Sequence, residues 1–113
     1  MSIKTKVKQI DIDGEKFYLT FNISSMHEYK ERFGKSALDD LSSLKKELNE
    51  EVLFQLFIVC LRDEIGGDVL PKEFFDDINP MAVITEFMED VIDVTMSSLP
   101  KPKPGQKKTK MKK

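Results

Sequence analysis

Ten consecutive positions, Val52 to Leu61, carry a single polar residue, Gln55. Val52, Leu53, Phe54, Leu56, Phe57, Ile58, Val59, Cys60 and Leu61 cover nearly every azimuth of a helix, so no broad polar face is left for water. Neighbouring elements must therefore wrap it on more than one side. Ten residues fall well short of the roughly 20 needed to span a bilayer, so the run predicts a buried central helix and a chain with no membrane segment. Asn49 is placed to cap this helix, Glu50 and Glu51 complement its macrodipole, and Gly66-Gly67 is expected to close it. In a domain of this size, one side is expected to pack on neighbouring elements and part of the other on a second subunit or a client.

The flanking sequence supplies those neighbours. Asp13-Gly14 is a two-residue hairpin signal, because both residues tolerate the positive φ of a type I′ turn. Phe17, Leu19 and Phe21 alternate after it and Ile10 and Ile12 before it, whereas Ile3 and Val7 have the opposite parity; a bulge near Lys8-Gln9 would reconcile them. Lys4, Lys6 and Lys8 would discourage edge-to-edge pairing. Asn22, Ser24 and Ser25 are candidate N-caps for a first helix, and Ser25 with Glu28 has capping-box spacing. Ile23, Met26, Tyr29 and Phe33 form its predicted apolar stripe, leaving Glu28, Glu31 and Arg32 wet. Gly34 is the expected left-handed stop, and Ser36 caps the next helix from Ala37.

Further on, Leu70-Pro71 predicts a short helix through Phe74 and Phe75, and Asn79-Pro80 starts a last one. Ala82, Ile84, Phe87, Met88, Val91, Ile92 and Thr95 trace its apolar side and Glu86, Glu89, Asp90 and Asp93 an acidic one. After residue 98 there are seven lysines and no acids, whereas residues 1–98 hold eleven basic and twenty acidic residues. Such a tail cannot offset chain entropy and is expected to be disordered. The predicted fold class is mainly α: one domain over 1–98 of four to five helices, opened by a hairpin over about 3–21, followed by a Lys/Pro-rich tail over 99–113.

Little in the chain points to chemistry. The single Cys60 lies inside the apolar run, and one cysteine with one histidine can build neither a disulfide framework nor a zinc site. His27 beside Glu28 has no accompanying nucleophile, second base or oxyanion-forming loop. The acids of the last helix form a stripe rather than the encircling set calcium prefers, and Asp11-Ile12-Asp13-Gly14-Glu15 misplaces the glycine of a calcium loop. Gly66-Gly67 lacks the context of a phosphate cradle. The expectation is a protein without catalytic residues, metal or cofactor. The N-terminus has no apolar leader, which with the lone cysteine fits a reducing cytoplasm.

Asn22-Ile23, then Tyr29 to Gly34 with Lys35-Ser36, followed by an apolar helix ending in Leu61-Arg62-Asp63-Glu64, resembles the tail assembly chaperones of long-tailed bacteriophages and prophages. Asn22, Tyr29, Phe33, Gly34 and Ser36 carry the resemblance. It implies a small helical chaperone in the cytoplasm of the infected or lysogenic host, with the tape measure protein as client, the tail tube protein as a further partner, and a homo-oligomeric state. The residue-level counterpart is an apparent surplus of apolar bulk, eight phenylalanines and six methionines, with methionine suited to varied client segments. Phe74, Phe75, Met81, Phe87 and Met88 are the expected contacts. The alternative is a small regulator binding nucleic acid non-specifically through its lysines, since a tail without arginine or aromatic residues offers neither base readout nor stacking.

Overall fold

The computed structural model describes residues 6–97. Asp13 (φ 51°) and Gly14 (φ 85°) both adopt left-handed conformations, joining strand β1 (Val7–Ile12) to β2 (Glu15–Thr20) as the dipeptide predicts. The register runs unbroken from Ile12↔Glu15 to Val7↔Thr20, so the bulge expected near Lys8-Gln9 is absent. Parity is resolved another way. Val7 turns outward, 44% exposed, and Lys8 shares the face of Ile10. Its ammonium reaches past the apolar surface to Asp90 (3.0 Å) and Asp93 (3.4 Å) on the last helix. Lys6 also meets Asp93, at 2.9 Å, so these two edge lysines tie the hairpin to a helix. Ile3, Lys4 and the tail lie outside the described residues.

Helix α1 (Ile23–Phe33) starts one turn earlier in its capping logic than the Ser25/Glu28 spacing suggests. Asn22 is the cap, and its side chain and that of Ser25 each accept the other's backbone N–H, at 3.1 and 3.2 Å. Ile23 consequently points outward and is 75% exposed, not part of the apolar stripe, while Ser25 is fully buried. Arg32 is not wet either: it donates to Glu28 (2.9 Å) and to the Leu70 carbonyl (2.8 Å), pinning the later loop to α1. Gly34 closes α1 at φ 70°, and Ser36 caps α2 (Ala37–Lys46). Asp39 and Asp40 in the first turn of α2, with Lys45 and Lys46 in the last, suit its macrodipole.

Helix α3 (Glu50–Cys60) is capped by Asn49 but does not run on to Gly66-Gly67. Leu61 and Arg62 leave it as a two-residue strand, β3, which pairs antiparallel with β2 through Tyr18↔Arg62 and Leu19↔Leu61. The open edge of β2 offers backbone partners that a longer helix would forgo. The sheet order is β1-β2-β3, and Gly66 (φ 83°) serves the turn beyond it. A 3₁₀ turn at Lys72–Phe75 precedes α4 (Pro80–Met96), which Asn79 caps with Pro80 in the first turn. The buried face of α4 holds Val83, Val91, Val94 and Thr95, with Phe87, Met88 and Ile92 packed half-buried on the core; the predicted stripe stands except for Ala82, which is exposed, and gains Val83 and Val94.

The sheet with α1, α2 and α4 encloses α3. Val52, Leu53, Leu56, Phe57, Val59 and Cys60 are buried, and Phe54 and Ile58 pack half-buried against the same core. Within the apolar run only Phe54, Gln55 and Ile58 keep partial exposure. All eight phenylalanines lie within the described residues: Phe17, Phe21, Phe57 and Phe75 are buried, the other four are half-buried, and none is exposed. The surplus of aromatic bulk suggested by composition is thus absorbed inside the subunit. The mainly helical fold class holds, with a third strand added to the hairpin.

Candidate functional site

The residues that carry the family resemblance form two structural junctions. In the first, Arg62 is 1% exposed. Its Nη1 donates to the carbonyls of Val59 (2.7 Å) and Leu61 (3.2 Å), and its Nη2 to Asn22 Oδ1 (3.2 Å) and Ser25 Oγ (2.9 Å). Ser25 Oγ also lies 3.2 Å from the Thr20 carbonyl, to which it donates. The guanidinium fork therefore joins the end of β2, the start of α1 and the corner between α3 and β3. Burial pulls its pKa below the ordinary arginine value. No carboxylate pairs with it among the described residues.

In the second junction, the Tyr29 hydroxyl donates to Asp40 at 2.5 Å and lies 3.1 Å from Gln55 Oε1. Lys35 bridges Gln55 (3.0 Å) and Asp40 (3.1 Å) and sits 5.8 Å from the Tyr29 ring centre. Phe33 meets that ring edge-on at 5.1 Å. Burial first, and the Asp40 carboxylate second, push the Tyr29 hydroxyl well above its usual pKa. Gln55, the one polar residue of the apolar run, is thus the α3 contribution to a polar cluster shared with α1 and α2. Both junctions hold the fold, and none of their residues lines the cleft described next.

A cleft of about 430 Å³ lies elsewhere, where the hairpin turn meets the start of α4. Ile12, Ile78, Val83 and Phe87 supply apolar lining, and Asp11, Asp13, Asp77 and Glu86 are the charged residues around it. Each acid is there for a local reason: Asp11 has the outward parity of β1, Asp13 occupies the turn, Asp77 precedes the α4 cap, and Glu86 lies on an exposed part of that helix. None of the four makes an ion pair among the described residues, and no Lys, Arg or His lines the cleft. Asp90 and Asp93, further along α4, are instead neutralised by Lys8 and Lys6. No group of three or more His, Cys, Asp or Glu among the described residues is placed to hold a metal ion. The arrangement suits an apolar side chain flanked by cations.

The five expected contact residues do not form one surface. Phe74 meets Phe17 at 5.5 Å and Phe75 at 5.1 Å, and Phe75 stands edge-on to Phe57. Phe75 is therefore core, only 8% exposed. Phe87 stacks on Phe57 at 6.0 Å while lining the cleft. Met88 packs half-buried on the core, and Met81, next to the lining residue Ala82, is 65% exposed. His27 is exposed, away from both junctions. Cys60 is buried, which pushes its thiol up to about 12. No helix among the described residues is long and apolar enough to cross a membrane. Comparison with protein-family models, curated proteins and solved structures gives no match.

Proposed function

We propose that this chain is a protein-binding module, specifically a phage tail assembly chaperone that keeps the tape measure protein soluble in the bacterial cytoplasm and assists assembly of the tail tube, self-associating as it does so. The observation that carries the binding reading is the cleft: apolar lining, four carboxylates that make no ion pair among the described residues, and Met81 exposed beside it. Such a surface favours client segments in which an apolar residue sits between lysines or arginines. The step from binding module to tail chaperone rests on the motif from Asn22 to Ser36. The same carboxylates repel phosphate, which disfavours the nucleic-acid reading for this face.

Co-expression with the tape measure protein tests the proposal. Client recovered in the soluble fraction with the wild-type chain, and less with Met81→Asp, supports it. A client equally insoluble with and without the chain overturns it.

A further inference from the structure

We infer that the cleft is the docking site of the chain's own lysine-rich end, with Lys110-Met111-Lys112-Lys113 as the segment it receives. The complementarity is residue by residue. The cleft offers apolar surface from Ile12, Ile78, Val83 and Phe87 bordered by four carboxylates that have no cationic partner among the described residues. The segment offers one flexible apolar side chain, Met111, bordered by three lysines.

Reach allows it. From Met96 back to Ala82 along α4 is about 20 Å at 1.5 Å per residue. Residues 98–109, between the helix and the segment, can span at most about 40 Å. On the way lies Glu89, exposed and unpaired among the described residues, whereas Asp90 and Asp93 are already taken by Lys8 and Lys6. A tethered segment also has an effective concentration on the order of millimolar, which a free copy at ordinary concentration does not match. A divalent cation is a poorer occupant, because the carboxylates do not converge. The docking stands apart from the identity of any client: a basic client segment would compete with the tail, and salt would release it.

The test uses the full chain with Gln106→Cys carrying a nitroxide. Native Cys60 is buried with its thiol pushed up to about 12, so the label goes to the introduced cysteine. Selective paramagnetic broadening of the Ile12, Ile78, Ala82 and Phe87 amides at low salt is expected. It should be largely lost in Asp77→Asn/Glu86→Gln, whose substituted side chains are exposed. Broadening that is absent, spread evenly over the surface, or unchanged in the double variant overturns the inference. So does broadening of equal strength when the label and the observed amides sit on different molecules, which would assign the cleft to a second copy.

Discussion

Arg62 is held by two carbonyls, an amide oxygen and a hydroxyl, with no carboxylate paired to it among the described residues. Its Nε has no hydrogen-bond partner among them either, so the site holds a guanidinium for its fork rather than for charge pairing. Arg62→Ala is expected to destabilise the protein by about 3 kcal/mol through lost hydrogen bonds and an unfilled space. Arg62→Lys should rescue little of that, because an ammonium cannot span four acceptors in one plane; urea unfolding midpoints at constant m-value measure both. A second residue-scale prediction concerns alkali. Cys60 and Tyr29 both titrate higher in the fold than when unfolded. Above about pH 9 for the thiol and pH 10 for the phenol, the unfolded chain loses protons that the folded one keeps. Stability is therefore fully present below pH 9 and falls as pH rises toward 12, by about 1.4 kcal/mol per pH unit for each group that ionises only when unfolded. Thermal midpoints should show this slope, and Tyr29→Phe should flatten its upper part. The sequence marked Asn22 and Ser25 as cap candidates and Arg62 as part of a motif, yet spacing along the chain cannot reveal that the three meet.

Elements were legible wherever their signals are local. The Asp13-Gly14 turn, the Gly34 stop and the caps at Asn22, Ser36, Asn49 and Asn79 all follow from side chains acting within a few residues of themselves. Gly34→Ala should cost about 1 kcal/mol. A methyl there meets nothing within 4 Å, so the cost is torsional, set by φ 70°. Asn22→Ala should cost about 1 to 2 kcal/mol, more than an exposed cap, because Ser25 and Arg62 lose the same oxygen. Calorimetry on both variants checks the order. What escaped the sequence was non-local: β3 pairs with the open edge of β2, and Lys8, on the inward face of the unbroken β1–β2 register, meets aspartates eighty residues away. The α4 stripe was largely legible, with Val91, Thr95, Phe87, Met88 and Ile92 on the core side, whereas the burial of Val83 and Val94 depends on neighbours that spacing does not show.

On the scale of the whole molecule, the central helix is the part composition described best, and its covering is the part it described least well. The apolar run does sit at the centre, and Phe75 and Phe87 close on its Phe57 from neighbouring segments, with Phe74 behind Phe75. Surface apolar residues among the described ones are scattered, with Ile23, Ile65 and Met81 the most exposed, so the proposed client binding is assigned to a local feature rather than to a broad greasy face. Met81→Asp should therefore shift stability by no more than about 0.5 kcal/mol while lowering client capture, whereas Phe87→Ala should cost about 3 kcal/mol by removing the ring stacked on Phe57. Unfolding curves set beside soluble client yield separate the two. The acidic border of the cleft was visible only as isolated acids along the chain; folding brings Asp11 and Asp13 to face Asp77 and Glu86.

One guanidinium fastened to residues 22, 25, 59 and 61 leaves the chain without a seam. A cut in the loop after Gly34 would part the amide and hydroxyl from the cation that binds them, and either fragment would have to bury a broken contact. Such a molecule is expected to melt in a single step, with neither half standing as a building part of its own.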